Sequence, residues 1–248
     1  KACFENRSNH PDIAGALNNL GIVFRRTGDQ RKAISYHRQA LEIAEIVFGQ
    51  ETPHSMIADS YNNMATAYSE VGDHRRAIEY NKKALSIWES IYGSCSPYVL
   101  QTLMNLATSW GMLGDKNEEI RYNQEALKMC EVVYGRNKDH PVVAIILSNL
   151  GLIWSERLEL DKALTYLEKS LEIKKRVFGD LAHPSIATTL EIIARVWLKR
   201  GDHAKAVKYL EETLETLTII QGDGANMRVA GLLAKLGFCW EILEDYQQ

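Results

Sequence analysis

The sequence has few cysteines, and the way they are distributed excludes two common kinds of protein. Its 248 residues contain four cysteines, which are far apart and form neither a Cys-x-x-Cys pair nor a cluster with histidine. A disulfide framework or a zinc site would need closely matched cysteine or histidine spacings, so neither is indicated. The pattern is typical of reduced thiols, and a cytoplasmic location is the expectation.

Long apolar runs and charge of one sign are also missing. The longest uninterrupted aliphatic run extends from Val142 to Leu147, which is far too short to span a bilayer, and the N-terminus lacks a signal-peptide pattern. The net charge is -3, and the basic residues are dispersed among acidic ones. Such a chain has no overall attraction for nucleic acid or anionic lipid, so we expect neither a nucleic-acid partner nor a membrane.

Motifs for catalysis and cofactor binding are absent from the sequence as well. It has no glycine-rich phosphate loop and no nucleophile-elbow serine motif, and its paired carboxylates fit ordinary helix surface. Four histidines stand beside prolines at least 43 residues apart, namely His10, His54, His140 and His183. This spacing favours helix capping or linker packing over metal binding. We expect no enzyme activity, cofactor, metal or small-molecule substrate.

Only five prolines occur, and their even spacing indicates that the chain is built from repeats. They stand at positions 11, 53, 97, 141 and 184, at intervals of 42 to 44 residues. A fixed period of this length is typical of stacked-repeat proteins. Proline is tolerated at a helix start because its missing N–H would have no partner there, and Thr52 and Ser96 stand in the N-cap place before it. We expect each proline to open a helix.

A second set of markers divides each repeat into two helices. Gly-Asp pairs begin at Gly28, Gly72, Gly114 and Gly201, whereas the fourth repeat has Leu158-Glu159 in this place. Glycine can end the first helix in the left-handed conformation, and the acidic residue can then cap the second helix. Each repeat is therefore predicted to be a hairpin of a first and a second helix.

Apolar residues follow the helical period in both helices. In the first helix of repeat one, Leu17, Leu20, Gly21 and Phe24 share one face. The Phe24 position is aromatic in every later repeat, as Tyr68, Trp110, Trp154, Trp197 and Trp240. Because these aromatics share the face of the leucines, core packing is favoured over a stacking platform for a cofactor. A single hairpin cannot bury this surface, so neighbouring hairpins should stack into a solenoid.

The order of these markers resembles tetratricopeptide (TPR) repeats. The segment LNNLGIVFRRTGDQRKAISYHRQAL, residues 17–41, carries the pattern, which extends over nearly the whole chain. The period is longer than the about 34 residues of the common form, and the extra length lies in a longer second helix followed by an aromatic-glycine pair. This longer form is similar to the repeats of kinesin light chain and nephrocystin-3. The resemblance implies an all-α, right-handed superhelical solenoid.

The markers also predict the repeat boundaries. Five full repeats cover residues 11–52, 53–96, 97–140, 141–183 and 184–225, after the end of a preceding helix at 1–10 and before a partial sixth repeat at 226–248. Because no polar capping helix follows, we expect the sequence to be part of a larger protein. Glu119 stands where the other repeats have alanine, and it is a candidate to disturb packing in the third repeat.

Asparagines recur on the first helices, outside the predicted core face. On a helical wheel, Asn18 and Asn19 both point away from Leu17, Leu20 and Phe24. The position of Asn19 is also asparagine in the next three repeats, at Asn63, Asn105 and Asn149, before it changes to Ile192 and Lys235. In TPR proteins the first helices line the concave groove, and asparagines at this position hold the main chain of an extended peptide. The resemblance implies the same role here, centred on repeats one to four.

An amide side chain suits this role because it can pair with a peptide N–H and C=O together. Neighbouring side chains of both charges would then supply specificity. The candidate peptide-binding residues are Asn18, Asn19, Arg25, Arg26, Asn62, Asn63, Thr66, Gln101, Asn105, Thr108, Ser148, Asn149, Arg195 and Lys199. The alternative is that the asparagines hydrogen-bond between neighbouring helices and that the other residues are solvated surface.

The sequence thus predicts a non-catalytic adaptor or scaffold module. Its partner would be an extended peptide or a helix of another protein, or another segment of the same chain. Two other functions stay open: a sensor or autoinhibitory segment of a larger signalling protein, and a structural solenoid that self-associates through its ends.

Overall fold

The computed structural model describes residues 10–135, 139–179, 183–221 and 227–245. Every regular element in these ranges is an α-helix, and no strand occurs among them. The all-α class predicted from the sequence is therefore confirmed. The helices are α1 (Pro11–Arg26), α2 (Gln30–Phe48), α3 (Ser55–Glu70), α4 (His74–Tyr92), α5 (Pro97–Met112), α6 (Lys116–Val133), α7 (Pro141–Glu156), α8 (Leu160–Phe178), α9 (Pro184–Arg200), α10 (His203–Gln221) and α11 (Met227–Asp245).

Consecutive helices pack as hairpins, with the odd-numbered helices as the first helices of the repeats. The pairs are α1 with α2, α3 with α4, α5 with α6, α7 with α8 and α9 with α10. The chain divides into two compact units, Lys1–Val133 and Tyr134–Gln248, which are described separately below. The predicted end of a preceding helix falls almost entirely in residues 1–9, outside the described ranges.

Each unit has its own apolar core, built from the faces predicted by the helical period. Tyr68 and Trp197, two of the in-register aromatics, are buried in the cores of the first and second unit. Leu20 and Trp240, however, are 42% and 48% exposed, so their predicted core positions were wrong. Leu20 lies in α1, and the described residues include no helix before it; Trp240 lies in α11, and they include no helix after it.

Histidines begin four of the helices, and this confirms the capping interpretation. In each case Nδ1 accepts a hydrogen bond from the backbone N–H two residues on, at 3.2 to 3.3 Å. The four caps are His10, His54, His140 and His183. An aromatic at the end of the preceding helix, or one residue beyond it in the case of Tyr134, stacks on the last three of these rings, with centroids 3.5 to 3.8 Å apart. The aromatic-glycine and histidine markers therefore form one joint between repeats.

The second repeat departs from the predicted helix start. Helix α3 begins at Ser55 with His54 as its N-cap, so Pro53 precedes the helix and Thr52 is not a cap. The expectation that Pro53 opens a helix was wrong, because proline's fixed φ also suits the extended backbone of the linker. Ser96 does cap α5, where its Oγ accepts from Val99 N–H at 3.3 Å.

The predicted turn between the two helices is present, including its exception. Gly28, Gly72, Gly114 and Gly201 all have φ between 80° and 88°, and Leu158 has φ 62° at the same position. Glu159, which follows Leu158, makes no side-chain cap hydrogen bond, whereas Asp29 and Asp73 both cap their helices.

The third repeat accommodates Glu119 through a neighbouring glycine. The Glu119 carboxylate pairs with Lys116 Nζ at 2.9 Å. A Cβ at Gly111 would collide with the same carboxylate, so the absence of a side chain there makes the room that Glu119 needs. Helix α6 runs uninterrupted past this position.

Candidate functional site

Neighbouring first helices lie side by side within each unit, and the first polar contact between them is made by Asn18. In the first unit, α3 contacts both α1 and α5. The Asn18 side chain donates to Ser60 Oγ of α3 at 2.9 Å, and its Oδ1 lies 2.9 Å from Nδ1 of His37 in α2. Burial lowers the pKa of His37 to about 4, so the neutral ring donates this hydrogen bond. Asn18 is buried, and the prediction that it faces outward was wrong because α3 covers it.

The next pair of first helices is joined by two asparagines. Asn105 of α5 donates through Nδ2 to Asn62 Oδ1 of α3 at 3.1 Å. Its own Oδ1 accepts from Gln101 Nε2, also at 3.1 Å. At Asn105, the alternative role of the asparagines is therefore present: its side chain hydrogen-bonds to a neighbouring helix. Each Asn105 amide atom still has capacity for one further hydrogen bond.

Three of the four asparagines at the recurring position have side chains that are available to a partner. Asn19 is exposed, while Asn63 and Asn149 are half-buried. Within the described ranges, no hydrogen bond joins the side chain of any of the three to another residue. Asn19 and Asn63 belong to the first unit, and Asn149 belongs to the second.

A polar pocket of about 180 Å³ opens between α3 and α5. It brings together three of the predicted residues, Thr66, Asn105 and Thr108. Its remaining lining consists of Ala65, Ser69, Glu70, Asn81 and Ser109. Asn81 reaches the pocket from α4, beneath the two first helices. At this place a concave surface coincides with several predicted peptide-binding residues.

The two predicted arginines of α1 differ in their surroundings. Arg25 is half-buried, and its guanidinium contacts the Glu70 carboxylate of α3 at 2.6 Å. Gln30 donates to the second oxygen of Glu70 at 2.7 Å. Arg26 is exposed. Arg25 therefore links two repeats, and its charge is compensated by Glu70.

In the second unit, Ser148 is buried within a cluster of hydroxyl groups. Its Oγ lies 2.7 Å from Ser170 Oγ of α8 and accepts from Lys174 Nζ at 3.0 Å. Lys174 also donates to Thr189 Oγ1 of α9 at 2.7 Å. Burial lowers the pKa of Lys174 to about 8. Ser148 is buried by contacts with α8 of its own repeat, so the prediction that it lies on the outward face was wrong.

The two basic residues of α9 that are predicted to bind a peptide also differ in their surroundings. Lys199 Nζ donates to the backbone oxygen of Ser155 at 3.1 Å, near the end of α7. Its ammonium thus satisfies a carbonyl at a helix C-terminus, which is a favourable place for a cation. Arg195 is exposed.

The sequence reasoning missed Asn81 and Lys174. Both lie on second helices, at register positions where other repeats have His37 and Asn123, or Ala44 and Cys130. A polar side chain on a predicted core face was the available signal, since such groups are seldom buried without a partner.

The described residues offer neither a metal-binding cluster nor a membrane-spanning helix. No group of three or more histidine, cysteine or acidic side chains in those ranges is placed to hold a metal ion. No described helix combines the length and apolar character needed to cross a membrane.

Comparison with known proteins agrees with the repeat architecture. The tetratricopeptide repeat profile matches residues 2–46, 56–131 and 142–219, which is most of the sequence. The chain belongs to the tetratricopeptide repeat family. Comparison of this TPR chain with curated proteins finds no match.

Solved structures of other TPR proteins have the same fold. BtubC (BKLC) from P. vanneervenii has a TM-score of 0.75 at 23% identity, covering 87% of this chain and 84% of that one. A Podosopora anserina protein with nearly identical TPR-like repeats of the kinesin light chain type has 0.72 at 19%, covering 86% and 98%. A signal-transduction ATPase (STAND) protein with a TPR sensor from Pyrococcus horikoshii has 0.73 at 16%, covering 92% of this chain and 32% of that one. At these identities the comparison establishes the fold alone.

Proposed function

We propose that this TPR chain is a non-catalytic interaction module that binds an extended segment of a partner protein along α1, α3 and α5. The observation that carries the proposal is the polar pocket between α3 and α5. There, Thr66, Asn105 and Thr108 from two first helices converge over a buried polar atom of Asn81 that has no described partner. TPR proteins serve in general as scaffolds for other proteins, and this pocket supports the choice of α3 and α5 as the site of that role.

Asn19 and Asn63 extend the proposed site along the first helices. Their amide groups can donate to and accept from a peptide main chain, which recognises a backbone whatever its side chains are. Each such hydrogen bond contributes a net of about 0.5 to 1.5 kcal/mol. After the cost of ordering the partner, a few of them give affinities of roughly millimolar to micromolar, so side-chain pockets must supply the rest.

The experiment uses the full 248-residue chain and a peptide selected against it from a random display library. Asn63→Ala removes an amide that has no described hydrogen bond, and Thr108→Val removes a hydroxyl at nearly constant volume. Each variant should raise the peptide Kd about 3- to 10-fold, because one hydrogen bond is lost, while the melting temperature stays the same. Fluorescence anisotropy gives the Kd, and calorimetry gives the melting temperature.

Gln124→Ala is the matched control, since it removes an exposed amide from the second helix of the third repeat. Its Kd should equal that of the unsubstituted chain. Equal Kd values for all three variants, or no selected peptide at all, would overturn the proposal.

Adding natural flanking sequence tests the regulatory alternative: a segment that occupies the groove from the same chain would lower the affinity for the added peptide.

A further inference from the structure

Several of the polar groups that line the pocket between α3 and α5 present hydrogen-bond acceptors. Asn81 contributes to the lining, and its Oδ1 is buried and has no partner among the described residues. The Asn81 residue is only 2% exposed. A buried acceptor without a partner destabilises the protein. A ligand that donates a hydrogen bond to it therefore gains more binding free energy than one that makes the same bond at the surface.

The hydroxyl groups of the lining also present lone pairs rather than hydrogens. Thr66 Oγ1 donates its hydrogen to Asn62 O at 3.0 Å, and Thr108 Oγ1 donates to Met104 O at 3.1 Å. Ser109 Oγ donates to Asn105 O at 2.9 Å. Each hydroxyl has one hydrogen and two acceptor sites, so these three oxygens can only accept from a ligand.

The charged group at the rim is the Glu70 carboxylate. Arg25 and Gln30 bind its oxygens from α1 and α2, and each carboxylate oxygen has room for a second donor. In the repeat register, the position of Arg25 is occupied by Ser69 in the second repeat. In repeat one, the long side chain of Arg25 reaches the neighbouring first helix, α3. In repeat two, the short side chain of Ser69 stands at the same position and lines the pocket.

The volume of the pocket also arises from a smaller side chain in the second repeat than in the first. In repeat one, the His37 ring fills the space beside Gly21 so completely that a Cβ on Gly21 would lie 2.5 Å from it. Asn81 stands at the register position of His37, and Ala65 stands at that of Gly21. Asparagine is shorter than histidine, which leaves space above Ala65 that the first repeat does not have.

From these observations we infer that the pocket binds a basic side chain, lysine or arginine, of the partner segment. The inference rests on the proposed function of the same groove and adds the chemical class of side chain that the groove selects. An ammonium or guanidinium group carries donors only, so it complements a lining of acceptors and one carboxylate. An apolar side chain would leave Asn81 Oδ1 unpaired, and an acidic one would place a second negative charge beside Glu70.

A small cation tests the pocket without any partner peptide. The full chain is titrated with n-butylammonium chloride, which mimics a lysine side chain, and with n-butanol, its uncharged counterpart. The backbone resonances of Thr66, Asn81 and Thr108 should shift saturably with the cation, and at least 5-fold higher n-butanol should be needed for the same shift. Unsaturable or absent shifts with n-butylammonium would overturn the inference.

Asn81→Leu removes the buried acceptor in a way that the fold already tolerates, because repeats four and five have Leu167 and Leu210 at this position. The variant should lose the n-butylammonium response. Asn123→Leu, the same change in the third repeat outside the pocket, should keep it. Equal responses in the two variants would contradict the assignment of Asn81.

Peptides selected against the chain then distinguish this inference from the proposed function. We expect a lysine or arginine at one fixed position, where replacement by norleucine raises the Kd more than 10-fold in the unsubstituted chain and less than 3-fold in Asn81→Leu. Peptides that bind the groove without this preference would overturn the inference and leave the proposed function standing. Failure to recover any peptide would overturn the proposed function, while the n-butylammonium titration would still decide the chemistry of the pocket.

Discussion

At the residue scale, two adjacent asparagines of α1 have opposite environments. Asn18 is buried and hydrogen-bonded to two other helices, whereas Asn19 is exposed. A helical wheel placed both on the outer face because it considers one helix alone. Neighbouring helices cover one edge of that face: Ser60 of the next repeat contacts Asn18, and α8 of the same repeat contacts Ser148. Asn19 and Asn63 therefore remain the better candidates for gripping a partner.

Lys174 is the residue whose protonation we expect to affect stability. Its ammonium is bound by hydroxyl and carbonyl oxygens, no acidic group in the described ranges pairs with it, and burial lowers its pKa to about 8. Lysine in an unfolded chain titrates near pH 10.4. Below about pH 8 both states carry the proton, and the folded state bears the full cost of a buried charge. That cost disappears as pH rises through the interval between the two pKa values.

Urea unfolding at pH 7 and pH 10.5 measures the free energy of unfolding of the unsubstituted chain and of Lys174→Met. The unfolded state binds more protons in this interval, so the stability of the unsubstituted chain relative to the variant should rise by about 2 to 4 kcal/mol. All other titrating groups are shared and cancel in the difference. A difference that stays constant with pH would contradict the prediction.

At the element scale, the ends of the helices are where the sequence was most informative and also where it failed once. Gly-Asp turns and histidine caps act through their own backbone, so a local pattern predicts them. Pro53 satisfies the same pattern but lies two residues before α3, because a linker and a first helical turn both accept its φ.

Leu158 provides a test of the turn. It holds φ 62°, a conformation that costs a residue with a Cβ roughly 1 to 2 kcal/mol. Its side chain is 72% exposed, so little packing is lost on its removal. Leu158→Gly should raise the free energy of unfolding by about 0.5 to 1 kcal/mol after the greater chain entropy of glycine is subtracted.

Leu113→Gly is the matched control, because Leu113 ends α5 at φ -76°, where glycine has no advantage. That variant should be destabilised. Denaturant unfolding of both variants checks the pair. A loss of stability in Leu158→Gly equal to that in Leu113→Gly would show that the left-handed residue carries no strain.

At the scale of the whole molecule, the period of the sequence predicted the all-α repeat architecture, but not the pocket. The architecture follows from markers that recur in every repeat. The pocket follows from differences between repeats: Asn81 is shorter than His37, and Ser69 is shorter than Arg25. Such a cavity depends on which side chains of two neighbouring repeats meet, and a pattern that averages over repeats does not contain this information.

The same contrast separates this chain from its structural relatives. They share helix hairpins at 16 to 23% identity, which fixes the backbone and leaves the groove residues free to differ. Under the proposed function, specificity depends on a few side chains of the first helices and on Asn81 beneath them.

The central claim is that a partner segment lies along the first helices of the first unit, over the pocket. The most direct test is a backbone chemical-shift map of the full chain with a peptide selected against it. The account predicts that the largest shifts occur at Asn63, Thr66, Asn105 and Thr108. Largest shifts on the outer faces of the second helices, for example around Gln124, with none in these four residues, would contradict it.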